Sequence, residues 1–477
     1  MKTTQIRASG IKFLTVSMAA LLAACTVGPD YKRPEVAAPT QFRAQVAPAD
    51  AQSIADLPWW GVFDDKALQK LIAQALANNY DLAGAVARIE QARALVGVAR
   101  SEREPQLGYQ AYAEAGRTTV QGQRSVSAVT LGAFGGLLNA AWEFDVWGRI
   151  KRSTESAQAN LLAQEDVRRG VLLSLVTDVA AGYFRLIELD RELAIAEDSS
   201  RVYGKTLDLF TDRFKAGKDS ELPVHRTQAA YDSANANTAA IRREIEQQEN
   251  ALSVLLGASP QAIERGRLLT DQVTPATPVG ATTDLLLRRP DILQAEQVMV
   301  GANAEIGVAV ANFYPRVGLS ALAGGVGAGV ASNFYGFGVW NVAAGVAGPI
   351  LTGGRLEAIY DQRRAFWDET VARYHKTVLV AFQETSDALV AQQTLAKQKT
   401  ALESQIQALQ HSVDTALLRY DSGRAAYFEV LEAEQQLFPA QAALAQTQRD
   451  QLLATVNLYK ALGGGWKLSP EQWVQPN

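Results

Sequence analysis

One cysteine, three histidines and two closely spaced acids are the residues of this 477-residue chain whose types could do chemistry. Cys25 is the single cysteine, so a disulfide within one chain is impossible, and no histidine stands near it to form a nucleophilic pair. His225, His375 and His411 are scattered and lack metal-ligand spacing. No G-x-S-x-G is present, and the run GVGAGV (325–330) lacks the Lys-Ser/Thr and the following helix of a phosphate loop. These residues predict no catalytic group, no metal site and no cofactor, so the chain reads as a non-enzyme. What remains is RYDSGRAAYFEVLEAEQQL (419–437), where a Gly-centred break precedes Phe428, Glu429 and Glu432. Acids are favoured near a helix N-terminus anyway. Either they are ordinary solvated helix residues, or they serve a function that the rest of the chain must define.

The elements that must position them begin with the N-terminus. MKTTQIRASGIKFLTVSMAALLAAC carries Lys2, Arg7 and Lys12 ahead of an apolar stretch from Phe13 to Ala24, too short to span a bilayer ordinarily. Residues 1–24 therefore read as a secretory signal. Its end, Leu22-Ala23-Ala24-Cys25, resembles a bacterial lipobox, which implies cleavage before Cys25 and lipidation (palmitate) of its sulfur. Thr26 in place of Asp implies, by the same resemblance, sorting to the outer membrane. Residues 25–63 form a tether in which Pro29, Pro34, Pro39, Pro48 and Pro58 forbid helix or central strand. A net charge of only −4 gives no reason to invoke nucleic acid.

Beyond the tether the chain repeats itself. ANNYDLAGAVARIEQARA (77–94) returns as LLRRPDILQAEQVMVGANA (286–304), and Pro105 returns as Pro315 at an offset of 210. VWGR (146–149) returns as TGGR (352–355) and RFKAG (213–217) as RYDSG (419–423), both at an offset of 206. The second copy has thus lost four residues between Pro315 and Gly354. We assign residues 64–257 to a first repeat, 258–283 to a linker, 284–463 to a second repeat and 464–477 to a tail.

Each repeat opens with a helix of about thirty residues, as over Leu68–Arg100, ended by a proline. Two alternating stretches follow. In LNAAWEFDVW, Leu138, Ala140, Trp142, Phe144 and Val146 face one way, and Asn139, Ala141, Glu143 and Asp145 the other. The stretch from Leu107 alternates more weakly. Next come 68 residues between Gly354 and Gly423 without Gly or Pro, carrying a seam at Leu402, Ile406, Leu409, Val413, Ala416 and Tyr420. The first copy matches it from Arg149 to Ala216, with Leu172, Val176, Val179, Tyr183 and Leu186. After each turn a second helix runs back, with Ile241, Ile245, Gln248, Leu252 and Leu255 as its seam in copy one.

Four strands with one apolar and one polar face fit an outer-membrane barrel wall, yet four cannot close, and an open edge is untenable in lipid. The chain must oligomerise; two chains would give eight strands and three would give twelve.

Cys25 with GPDYKRP (28–34), PWWGVFDD (58–65), NNYDLAGAVARIEQARA (78–94), WEFDVWGR (142–149), LLRRPDILQAEQ (286–297) and RYDSGRAAYFEVLEAEQQLFPAQ (419–441) together resemble the TolC-like outer membrane factors, in their NodT-type efflux lipoprotein branch. The resemblance covers essentially all of the mature chain. It implies a mainly α fold with a membrane β-barrel: a long antiparallel coiled-coil tunnel in the periplasm plus four strands per chain, completing a 12-strand barrel in a homotrimer. It implies passive efflux transport through the outer membrane, multidrug resistance, and as partners a periplasmic adaptor protein, an inner-membrane pump of RND type and outer membrane lipid. Phe428, Glu429 and Glu432 match constriction positions. The turns at Gly217, Ser220, Glu221, Gly423 and Arg424 match the helix tips that dock the adaptor. Pro223 stands where many relatives carry Asp, leaving Asp219 or Glu221 as substitutes, and Pro439 is expected to kink the last helix. The competing readings are a same-fold channel for type I protein secretion and a lipid-anchored coiled-coil scaffold without transport.

Overall fold

A computed structural model describes residues 26–45, 53–121, 126–273, 278–280, 282–330, 333–469 and 472–473. Cys25 and the signal segment lie outside the described residues. The chain folds as two compact units, each discontinuous in sequence. One holds Arg88–Glu165, Gln294–Tyr374 and the described tether up to Glu35; the other holds Val36–Ala87, Asp166–Leu293 and the chain from His375.

Helices α1 (Lys66–Asn78) and α2 (Tyr80–Ser101) lead into strands β1 (Gln106–Gln121) and β2 (Val126–Phe144), then into helices α3 (Arg149–Lys215) and α4 (Glu221–Leu255). The order recurs as α5 (Leu285–Arg288), α6 (Pro290–Ala311), β3 (Arg316–Val330), β4 (Asn333–Ala347), α7 (Arg355–Asp421) and α8 (Phe428–Ala461). Helices α3 and α7 each run 67 residues, about 100 Å at 1.5 Å per residue. Such lengths need a continuous seam. In α3 the residues Leu172, Val176, Val179, Tyr183 and Leu186 are buried, and Leu189 and Ala196 pack on Ile241 of α4. In α7, Val413 packs against Ala433 and Leu437 of α8, with Ile406 and Leu409 alongside. Each fully buried Leu, Val or Ile of these seams contributes about 1.5–3 kcal/mol. Pro439 lies inside α8, which continues past it without a break.

The expected thirty-residue opening helix is instead two. Asn79 is extended (φ −69°, ψ 130°), its side chain accepts from the Leu82 amide and donates to the Leu255 carbonyl at 3.1 Å. A side chain that caps one helix start competes with helix at its own position. In copy two the equivalent Arg289 is also extended, before Pro290, and donates to the Ala461 carbonyl at 2.8 Å. Two unlike residues thus make one contact, to the end of their own copy's return helix. The chain then turns at Gly257 (φ 65°) and Gly463 (φ 71°), where a Cβ would meet Asn78 O at 2.3 Å and Arg288 O at 2.9 Å. Only glycine fits both the left-handed backbone and the approach.

The strands form one antiparallel sheet in the order β1-β2-β3-β4. Opposite Leu138 stand Tyr109 and Ala323, opposite Ala140 stand Leu107 and Ala321, and opposite Ala323 stands Trp340. Leu107, Tyr109, Leu138, Ala140, Trp142, Phe144, Leu319, Trp340, Val342 and Val346 therefore share one face, and Gln106, Gln110, Glu114, Asn139, Glu143, Ser320 and Asn341 the other. At 15 to 19 residues the strands exceed the roughly 9–11 that a spanning strand needs. The GVGAGV run lies in β3 and is paired residue by residue, so it cradles no phosphate. Asp145, expected on the polar face, is outside β2; its carboxylate accepts from the Ile150 and Lys151 amides and caps α3. The hairpins carry the repeat offsets into their registers: Gln106–Ala141 in the first becomes Arg316–Ala347 in the second, shifts of 210 and 206.

Candidate functional site

Two turns reverse the long helices, and they are built alike. After α3, Gly217 (φ 68°) donates to Phe214 O and Lys218 to Arg213 O; after α7, Gly423 (φ 68°) donates to Tyr420 O and Arg424 to Arg419 O. This paired bonding satisfies the last carbonyls of a helix and requires the left-handed residue that glycine supplies. Gly217, Glu221, Gly423 and Arg424 are exposed, and Ser220 is the N-cap residue of α4.

The equivalent arginines at the two turns have different partners. Arg213 bonds Asp219 at 2.7 Å and the Tyr420 hydroxyl at 3.0 Å, joining the first turn to α7. Arg419 pairs with Glu429 at 3.2 Å. Of the two acids considered in place of the missing Asp at Pro223, Asp219 takes the arginine, whereas Glu221 pairs with His225 at 3.2 Å. Phe428 opens α8 half-exposed, with the Arg226 guanidinium 5.2 Å over its ring, and Glu432 is exposed one turn further on. The three constriction candidates thus stand together at one helix start, on its open side.

Sequence reasoning missed what lies behind them. Tyr203, Phe210, Ala234, Ala416, Tyr427, Val430 and Leu431 form a buried cluster, with Val224, Tyr231, Tyr420 and Phe438 packed against it. The Tyr427 hydroxyl bonds Thr206 at 2.7 Å, and its ring meets Phe210 and Tyr420 edge-on. Beside this cluster Glu434 is 5% exposed, and its Oε2 has no hydrogen-bond partner among the described residues. Burial pushes its carboxyl up to about 7, and burial together with the nearby Glu434 pushes Tyr203 and Tyr427 up to about 12. The one signal in the sequence is helical phase: Val430, Glu434 and Leu437 follow the 4,3 spacing of a buried stripe.

A second set of contacts fixes the tether in the sheet-bearing unit. Val27 donates to Trp147 O at 3.1 Å, just beyond β2, and Asn303 donates to Pro29 O at 2.9 Å. Asp30 pairs with the buried Arg152 at 2.7 Å, and Arg33 with Glu296 at 3.0 Å. Tyr31 bonds Glu296 and lies edge-on to Trp367. In the other unit, the Asp65 carboxylate of PWWGVFDD accepts from the Ala67, Leu68 and Arg267 amides, the Tyr183 hydroxyl and Gln272. Among the described residues no group of three or more His, Cys, Asp or Glu side chains is placed to hold a metal ion.

Comparison with known proteins accounts for this combination of sheet, long helices and paired turns. The family model for outer membrane efflux proteins matches residues 71–258 and 282–464. The solvent efflux pump outer membrane protein SrpC of Pseudomonas putida is 35% identical over 480 residues, covering 96% of this chain and 100% of SrpC. The cation efflux system protein CusC of Escherichia coli (strain K12) is 31% identical over 463 residues, with 96% of this chain and 100% of CusC covered. The open state of the Neisseria gonorrhoeae MtrE outer membrane channel matches with a TM-score of 0.77 at 30% identity, covering 93% of this chain and 99% of that one. The resemblance read from the sequence is borne out, and so is the mainly helical fold with four antiparallel strands. This chain belongs to the outer membrane efflux protein family.

Proposed function

We propose that three copies of the chain close a twelve-strand barrel and form a passive conduit that carries small toxic molecules from a periplasmic adaptor and an RND-type inner-membrane pump across the outer membrane. The observation that carries this reading is the open sheet. Among the described residues β1 and β4 each pair on one side only, and one face of the sheet is apolar. Lipid does not tolerate such edges, and neighbouring chains supply the missing partners. The solvent and cation efflux roles of SrpC and CusC support small solutes as cargo over secreted proteins. Phe428, Glu429 and Glu432 narrow and charge the periplasmic mouth, and the turns at Gly217, Ser220, Glu221, Gly423 and Arg424 meet the adaptor.

Single-channel conductance of the purified protein in planar bilayers tests the conduit; a protein that never conducts would be a scaffold instead. Replacing both acids, Glu429→Gln with Glu432→Gln, leaves Arg226 over Phe428 and frees Arg419 from its pair, so only positive charge remains beside them. The potential at the mouth is thereby shifted positive by about one kT, and the cation-to-anion permeability ratio should fall by roughly tenfold. An unmoved reversal potential would remove these acids from the pore.

Cys25 carries the lipid anchor in this reading. The support is the tether, which is bonded to Trp147 from Val27 onward, two residues after the cysteine and next to the end of a sheet strand. Cys25→Ser should abolish palmitate labelling while leaving the fold of the described residues intact; labelling that persists would place the acyl chain elsewhere.

A further inference from the structure

Glu434 is a buried carboxyl group with no cation to pair with among the described residues. It stands on α8 beside a cluster to which α3, α4 and α7 all contribute, among Val430, Leu431, Leu437 and Phe438 of its own helix. Among the described residues, the titratable groups packed in this cluster are tyrosines: Tyr203 from α3, Tyr231 from α4, Tyr420 from α7 and Tyr427 from the turn before α8. The charged side chains of the tip are engaged on its open side, as Arg213–Asp219 and Arg419–Glu429, and Glu221 lies 3.2 Å from the His225 imidazole. Glu434 is buried within a single chain, so no neighbouring copy can reach it without the helices parting. An ionised carboxylate in such a place lacks both water and a counter-charge, whereas the neutral acid is tolerated.

We propose that Glu434 is a proton-operated latch of the helix tips: protonated, it lets α8 pack against α3 and the Tyr427 turn, and once ionised it draws water between the helices and releases the tip. The latch rests on the reading of the tips as the channel mouth. The proton leaves to solvent and no other group changes its charge.

The direction with pH follows from which state holds the proton more tightly. Burial raises the packed acid from 4.5 to about 7, while in a released, hydrated tip it regains its ordinary value. The packed tip is therefore favoured on the acid side. Release rises about tenfold per pH unit across that interval, on the order of a hundredfold in all, and levels off above it. The first repeat has no such group: at the offset of 206 the position of Glu434 is Gln228, which is only half-buried and donates to the Asp232 carboxylate.

The test uses the full-length trimer reconstituted in lipid, titrated from about pH 5 to about pH 8, the interval over which the acid changes form. Open probability is recorded in a Glu429→Gln, Glu432→Gln background, so that the mouth acids do not titrate. Open probability should climb with pH when Glu434 is present and stay low and flat in Glu434→Gln. A pH profile that survives Glu434→Gln overturns the latch. Infrared difference spectra of the same samples should show a protonated carboxyl C=O band that titrates near neutrality and is absent in Glu434→Gln. The lack of any such band in the unaltered protein overturns it too, even if the variant fails to fold. A trimer that never conducts defeats the channel reading, while the infrared band and hydrogen exchange over residues 199–215 and 427–438 still decide the latch.

Discussion

Cysteines introduced together at Val346 and Ala111 are expected to link neighbouring chains into a covalent trimer on non-reducing gels. The pairing comes from the duplication. Within one chain β2 pairs with β3, and Ala140 stands opposite Ala321. Adding 206 to the first and subtracting 210 from the second, the offsets that convert one hairpin into the other, gives Val346 and Ala111. The β4 edge of one chain should therefore meet the β1 edge of the next in that register. Directly opposed residues of an antiparallel pair have Cα atoms about 4.5–5.5 Å apart, within disulfide reach, whereas diagonal neighbours at about 7–8 Å are beyond it. Val346→Cys with Ala113→Cys is the matched control and should stay monomeric on the gel. If the control cross-links and the Val346–Ala111 pair does not, the junction is slipped by two residues. If neither does, the sheet does not close on copies of itself. The same mapping carries Phe144–Val317 to Ile350 and Leu107, and so explains why Ile350, wholly exposed in one chain, is apolar.

Asp65→Ala should be the most damaging single change to the helical unit. Asp65 is 2% exposed and accepts from the five donors described above, two of them at the start of α1. Truncation removes a helix cap and leaves the Tyr183 O–H and the Arg267 amide without their acceptor, the hydroxyl keeping only the bond it accepts from the Gly266 amide, a loss of roughly 4 kcal/mol. Thermal unfolding of the detergent-solubilised protein measures it, and a variant that melts with the parent would show that other groups can satisfy those donors. Asp65 also gives an acid-labile step. Burial pushes its carboxyl up, but the bonds from Gln272, Arg267, Tyr183 and Leu68 outweigh burial and hold it below the usual carboxylate range. Its contribution is thus complete above that range and is lost as pH falls through the lowered folded value. Asp65→Asn, which cannot titrate, should lack that step.

The large features were legible because each is written redundantly. A stretch of 68 residues without Gly or Pro cannot easily be anything but helix, and four ordered matches on two offsets establish a duplication. The break at Asn79 was not legible, since the apolar pattern continues on both sides and the side-chain bonds that end the helix are made to Leu82 and to the distant Leu255. Its counterpart at Arg289 carried a signal, the following Pro290, that the reading of one thirty-residue helix per repeat passed over. At the tips the positions of Phe428, Glu429 and Glu432 could be read, but their partners could not. Arg226 over Phe428 and Arg213 on Tyr420 join segments some two hundred residues apart, and such pairings depend on how the turns present them. Glu434 was hidden for another reason: it sits two residues from an exposed acid, and only helical phase separates them.

The two turns share a backbone but not a composition. Aligned through Gly217 and Gly423, Leu222 takes the place of Phe428, Pro223 of Glu429 and Arg226 of Glu432. In the proposed trimer the six turns around the axis would alternate acid and base, three of each. Opposite charges in such a ring cancel beyond a distance comparable to their spacing, and salt shortens that reach further. The mouth would then be nearly silent to a solute approaching from the periplasm and strongly patterned to one already inside it. An amphoteric lining of this kind favours no single class of cargo. It suits an exit duct whose selection is made upstream.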